Sequence, residues 1–134
     1  MKLAFDFGIT NTDIVSYKDG EMNFFTFPSE EISEEFIEKL LVHIKIKISD
    51  VEVIAVTGGK SSDLKNVYRG IPIVKVNEIE AIGYGAKHLY SIHDSKYLAV
   101  SCGTGTACVA FINGEYSHMG GISVGGGTLQ GLSN

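Results

Sequence analysis

Only two cysteines occur in the 134 residues of the chain, Cys102 and Cys108. Their spacing fits neither a metal-ligand motif nor a disulfide framework, and each lies in an apolar, strand-like run where a thiol behaves as a small hydrophobe. A disulfide-stapled scaffold is thereby excluded, and a reducing, cytoplasmic setting is expected. The chain also lacks any run of about 18 apolar residues, and its first stretch, MKLAFDFG, is broken by an acid. Neither a membrane span nor an export signal is expected. Basic residues are scarce: 11 Lys and Arg stand against 16 Asp and Glu, for a formal charge of −5. This argues against nucleic acid or an acidic membrane surface as the partner. No low-complexity segment or linker divides the chain. A small anion can still bind through backbone amides, which need no net positive charge.

What the chain has in quantity is glycine, 16 residues, in a composition that is 44% hydrophobic. That length and composition support one core and fall short of two complete domains. KLAFDFG, TDIVSYK and MNFFTFP are short β-rich runs separated by ITN and DG, as in a three-strand meander. Ile32, Phe36, Ile37, Leu40, Leu41, Ile44 and Ile48 then recur at helical spacing, although HIKIKI at the end also alternates like a strand. VEVIAVTGG reads as a buried strand closed by glycines, SSDLKNVY as a short polar helix and IPIVKV as another strand. Asn77 caps a helix running to about Ser91, with Glu80 at the capping-box position. The expected order is β-β-β-α-β-α-β-α. SKYLAVSCG, TACVAFING and EYSHMGG then repeat the opening meander, and GGGTLQGLSN starts a helix. The expected division is a first lobe over 1–93 and the opening hairpins of a second, truncated lobe over 94–134. Its strands YLAV and ACVAFI would lack their cover, so self-association is expected.

Glycine inside strands and helices costs roughly 0.5–1 kcal/mol against alanine, so the clusters need a reason. Asp6 ends an apolar strand beside Gly8, Ile9, Thr10, Asn11 and Thr12. A carboxylate there can hold hydrated Mg2+, and the amides and threonine hydroxyls of the hairpin can meet phosphate oxygens. An ordinary β-turn accounts for the same residues. Gly103 to Thr106 form a second hairpin loop, and facing hairpins can clamp a polyphosphate without a lysine; a β-bulge is the plainer reading. Gly125 to Gly127 precede a helix whose free N–H groups favour an anion, unless small residues are needed there for packing.

DFGITNT, SCGTGTACVAFINGEY and GGISVGGGTLQGL, with VTGG and NEIEAIGYG between them, resemble the type II (eukaryotic-like) pantothenate kinases. These are members of the superfamily of acetate and sugar kinases, heat-shock chaperones and actin. The resemblance runs over nearly the whole chain and is most specific in GTGT followed by GGG-x-x-Q-G-L. It implies an α/β, ribonuclease-H-like (actin-like ATPase) lobe and the start of a second one. It also implies phosphorylation of pantothenate, the first step of coenzyme A synthesis, by ATP with Mg2+ in a homodimer. Thr104, Gly126, Gly127, Thr128, Leu129 and Gln130 fall where the family contacts ATP. Glu78 falls at the family's catalytic glutamate, where a carboxylate accepts the proton of the alcohol; a stabilising role in the first helical turn is the competing account.

Three positions depart from the family. His118 stands where the family has an arginine that helps to bind pantothenate, and an imidazole is no permanent forked cation. Asp13 replaces a lysine near the phosphates. Ile9 replaces a glycine, and GITNTD is similar to the first loop of hydantoinase-type members. These substitutions favour an alternative, a nucleotide-binding switch or pseudokinase; a scaffold lobe with glycines used only for packing is a third. The family is about twice this length, so the chain by itself is expected to show no appreciable turnover.

Overall fold

Alternating burial sets the first strands. In β1 (Lys2–Phe7) the side chains of Leu3, Phe5 and Phe7 point to one face and are buried, and in β2 (Asn11–Lys18) Thr12, Ile14 and Ser16 do the same. The computed structural model describes residues 1–59 and 61–133. These divide into two compact units, Met1–Val76 and a second that begins at Asn77.

The sheet of the first unit has the order β3-β2-β1-β4-β6-β5, with β3 at Glu21–Pro28, β4 at Val53–Thr57, β5 at Val67–Tyr68 and β6 at Ile71–Lys75. The first three strands form the expected antiparallel meander, and β4 and β6 run parallel to β1. Helix α1 (Glu34–His43) starts where the Ser33 side chain accepts a hydrogen bond from the Phe36 amide, at 3.1 Å. Its Phe36, Ile37, Leu40 and Leu41 join the core with Leu3, Phe5, Phe7, Ile54 and Val56. Each such side chain contributes about 1.5–3 kcal/mol by leaving water.

Two expectations in this unit are corrected. Ile44 and Ile48 lie outside α1, because Lys45 adopts a left-handed φ of 57°. The Lys45 and Ile46 amides fold back onto the carbonyls of Val42 (3.1 Å) and Leu41 (3.0 Å), a Schellman closure that ends the helix. The helix expected over SSDLKNVY is a single 3-10 turn at Ser61–Asp63, followed by β5. There β5 pairs with β6 across Arg69 and Gly70, whose φ values of 47° and 85° are those of a two-residue hairpin turn. Exposed ion pairs Lys65–Glu34 (2.9 Å) and Arg69–Glu38 (2.7 Å) link this excursion to α1.

The second unit repeats the meander, with β7 (Lys96–Cys102), β8 (Thr106–Ile112) and β9 (Glu115–Ile122) antiparallel in chain order. Asn113 and Gly114 make the tight turn expected of Asn-Gly, with φ of 54° and 93°. Helix α2 (Glu78–Leu89), grouped with the first lobe in the sequence reading, packs on these three strands, and α3 (Gly126–Leu132) follows them. The seat of α2 is Gly83, where a Cβ would collide with the Tyr116 ring. Tyr97 donates to the Gly83 carbonyl (2.9 Å), which leaves its oxygen to accept from Tyr116 at 2.9 Å. Burial, and then that bond, push the Tyr116 hydroxyl up to about 12. β7 is an edge strand; its Leu98 and Val100 are 60% and 56% exposed, where Leu3 and Phe5 of β1 are covered. Among the described residues no helix is long and apolar enough to cross a membrane.

Candidate functional site

The loop after β1 is held from below. Thr12 is fully buried, and its hydroxyl lies 3.0 Å from that of Ser29, which in turn donates to the Gly8 carbonyl at 2.7 Å. The Ser29 amide also donates to the Thr10 carbonyl, at 3.0 Å. Thr12 is therefore an anchor, while Gly8, Ile9, Thr10 and Asn11 are exposed at the loop. Ser29 lies 17 residues from Thr12, and no local pattern marks it as part of this loop.

Asp6 lies on the face of the sheet away from the core. Its register partners are Asp13 on β2 and Thr57 on β4, and Asp13 is opposite Thr26 on β3. One row thus crosses four strands as hydroxyl, carboxylate, carboxylate, hydroxyl. It lies at the carboxyl ends of the parallel strands β1 and β4, where open α/β sheets bind ligands. The Thr26 hydroxyl donates to Asp13 at 2.6 Å. The Thr57 hydroxyl is buried and has no hydrogen-bond partner among the described residues. Gly58 follows it with φ of 83°; a Cβ there would sit 2.5 Å from Asp6 Oδ1 and 2.6 Å from the Phe7 carbonyl. Asp6 thus projects over a cradle that only glycine leaves open. Two carboxylates and a hydroxyl are donors of the kind that suit Mg2+, which keeps several waters and takes one or two carboxylates. Among the described residues no cluster of three or more His, Cys, Asp or Glu offers a denser metal cage.

In the second unit the two glycine clusters touch each other. Gly103 donates to the Gly105 carbonyl (2.8 Å), and Gly127 donates to the Gly103 carbonyl (3.4 Å). A Cβ on Gly125 would lie 2.5 Å from the Gly105 carbonyl oxygen and 2.7 Å from that of Gly103; one on Gly127 would lie 3.1 Å from Thr104 Cα. Packing of backbone on backbone requires glycine at 125 and leaves a tight fit at 127. Thr128 holds the start of α3, its hydroxyl 3.3 Å from both the Gly125 amide and the Ser123 carbonyl, while Leu129 and Gln130 are exposed. We expect Gly125→Ala to lower the stability of this unit by about 1–3 kcal/mol, the usual cost of overpacking, because the atoms in its way are backbone. Gly131→Ala, with no atom of the described residues within 4 Å, gains up to about 1 kcal/mol of helix propensity. Thermal melts of the pair check this, and equal melting temperatures would contradict it.

Glu78 is exposed in the first turn of α2, after Asn77, whose side chain accepts from the Ile79 amide at 2.9 Å. His118 is exposed on β9 opposite Val109, at a register shift in the β8–β9 pairing. An open apolar groove of about 380 Å³ between α2 and β7, lined by Ala81, Gly85, Leu89 and Leu98 among others, includes none of the residues predicted for the site.

The fold is that of the actin-like ATPases and ROK kinases. The activator of 2-hydroxyisocaproyl-CoA dehydratase from Clostridium difficile, solved with ADPNP, is similar over 90% of this chain and 44% of its own (TM-score 0.64, 16% identity). A putative N-acetylglucosamine kinase from Porphyromonas gingivalis is similar over 92% and 48% (TM-score 0.62, 21% identity). A ROK family glucokinase from Streptomyces griseus, solved with glucose and AMPPNP, is similar over 87% and 46% (TM-score 0.61, 14% identity).

Within that class the sequence is homologous to the type II pantothenate kinases. It is 35% identical over 102 residues to the enzyme of Bacillus thuringiensis subsp. konkukian, which is 72% of this chain and 36% of that one. It is also 35% identical over 109 residues to that of Bacillus cereus, 72% of this chain and 39% of the relative. The chain therefore spans little more than a third of the curated relatives it matches. No family model matches it.

Proposed function

We propose that this chain is the phosphate-handling part of an ATP-dependent kinase that phosphorylates a small alcohol, with pantothenate as the acceptor. The kinship with type II pantothenate kinases over 72% of the chain carries the proposal. In this reading the exposed loop residues Gly8, Ile9, Thr10 and Asn11 meet phosphate oxygens, and Thr12 keeps the loop in place from beneath. Asp6 holds the hydrated cation over the Gly58 cradle. When bound with ATP, Mg2+ offsets the negative charge of the phosphates. Thr104 and residues 126–130 contact the nucleotide, with Gly125 and Gly127 fixing the shape of the Thr104 loop. Glu78 accepts the proton of the attacking hydroxyl, and His118 faces the acceptor.

A second reading, a nucleotide-binding switch without phosphoryl transfer, is favoured by Asp13 and His118. Both readings require nucleotide binding, and a scaffold role does not. A ligand of the native state raises its stability, by about 2.7 kcal/mol at a concentration 100 times Kd. ATP with Mg2+ is thus expected to raise the melting temperature of the chain. An unchanged melt at millimolar ATP would leave only the scaffold role.

A further inference from the structure

We propose that Tyr97 is a positioning residue: its hydroxyl, bonded to the Gly83 carbonyl, sets where α2 stands along the strands beneath it, and so where Glu78 stands at the head of that helix. The purpose of this device rests on the reading of Glu78 as the base, whereas the device itself lies wholly within the second unit.

Helix α1 is locked in place by four buried apolar side chains, Phe36, Ile37, Leu40 and Leu41. In α2 the buried residue is Gly83, which has no side chain to interlock. Its bed is a row of aromatic rings. Tyr97 on β7, Phe111 on β8 and Tyr116 on β9 are direct register partners, with successive ring centroids 5.1 Å and 4.9 Å apart. Gly83 rests on the Tyr116 ring, Tyr84 meets that ring edge-on at 4.7 Å, and the Lys87 ammonium lies 4.9 Å over Phe111. Ring faces set the height of the helix above the strands but resist sliding only weakly, because dispersion is spread over many small contacts. A hydrogen bond is directional, and the Tyr97 hydroxyl donates one to the Gly83 carbonyl at 2.9 Å. Tyr116, its hydroxyl pushed up to about 12, stays protonated, and its 2.9 Å bond holds the Tyr97 oxygen in turn. Glu78 precedes Gly83 in the same helix by about 7.5 Å of axial rise. A slip of α2 along its axis is therefore passed on whole to Glu78, and misplacing a reacting group by about 1 Å can cost about 10²-fold in rate.

The first test uses the 134-residue chain. In Tyr97→Phe, which keeps the ring and removes the hydroxyl, backbone amide NMR shifts are expected to move all along α2, from Glu78 to Leu89. In Tyr116→Phe, which leaves the bond to Gly83, they should move only beside residue 116. The second test uses a chimera in which the chain replaces the matching segment of the Bacillus cereus type II pantothenate kinase. There Tyr97→Phe should lower kcat about 10–100-fold and leave KM for ATP unchanged, while Tyr116→Phe lowers kcat far less. Because Tyr97 acts through Glu78, Tyr97→Phe should lower kcat no further when added to Glu78→Gln. A merely structural hydroxyl would lower the melting temperature in both phenylalanine variants and kcat in neither. The proposal is overturned if the Tyr97→Phe shifts stay beside residue 97, if its kcat matches the wild type or falls no more than that of Tyr116→Phe, or if it costs the same factor on top of Glu78→Gln. A Tyr97→Phe chimera that fails to fold where Tyr116→Phe folds would also overturn it, by making the hydroxyl structural. Full turnover in Glu78→Gln alone would instead remove the base, and with it the purpose of the positioning.

Discussion

Gly58→Ala is expected to destabilise the first unit by about 2–5 kcal/mol. The left-handed backbone at φ of 83° costs an L-residue roughly 1–2 kcal/mol. The new methyl group would also press on the Asp6 carboxylate at 2.5 Å and the Phe7 carbonyl at 2.6 Å, and such crowding costs about 1–3 kcal/mol more. Gly20→Ala separates the two contributions, because Gly20 has φ of 88° and no atom of the described residues within 4 Å of a Cβ. Denaturant unfolding of the two variants should show Gly58→Ala losing clearly more stability than Gly20→Ala. Equal losses would mean that Asp6 yields easily, and the cradle would then have no defined shape to offer a cation.

The other large effect concerns chemistry. In a chimera where this chain replaces the matching segment of the Bacillus cereus relative, Glu78→Gln should lower kcat for pantothenate phosphorylation by about 10²–10⁴-fold, the usual contribution of a general base. Affinity for ATP should stay nearly unchanged, because the substitution keeps the shape and removes only the proton-accepting charge. Full turnover in the variant would reduce Glu78 to a helix-start residue stabilised by the dipole. His118→Arg belongs in the same assay. A permanent forked cation should strengthen binding of a carboxylate-bearing acceptor if His118 faces one. A chimera that binds ATP, turns nothing over and ignores His118→Arg would establish the switch reading.

The elements with a dominant local cause were legible in the amino-acid order. Phe36, Ile37, Leu40 and Leu41 announce α1, and Asp-Gly and Asn-Gly announce two of the hairpin turns. The third turn, Arg69-Gly70, was missed because arginine is an unusual residue at positive φ, and SSDLKNVY was read as a helix in consequence. The end of α1 was ambiguous because a lysine, Lys45, takes the left-handed position usually given to glycine. At the candidate site, Asp6 and its loop stood out because a carboxylate after an apolar strand is unusual. Thr57 did not, since its meaning depends on parallel pairing with β1 across an intervening helix. Gly125 and Gly127 were noticed as a cluster, but their contact with Gly103, Thr104 and Gly105 joins residues some twenty positions apart and leaves no periodic trace.

The order in which the strands pair also imposes an order on folding. Every strand pair in β7-β8-β9 joins neighbours in the chain, and such hairpins close within about 1–10 μs. In the first unit β1–β2 and β2–β3 are equally local, but the other side of β1 is closed by β4, which pairs Lys2 with Val53. On the ribosome, the early meander must therefore wait with an open edge while α1 and the following turn are made. Synthesis at about 5–20 residues per second makes that wait a matter of seconds, long compared with hairpin closure. A slowing of translation before β4 would lengthen the interval in which β1 can pair with a strand from another chain. The pairings of β7 with β8 and of β8 with β9 carry no such delay, since each forms as soon as its second strand is made.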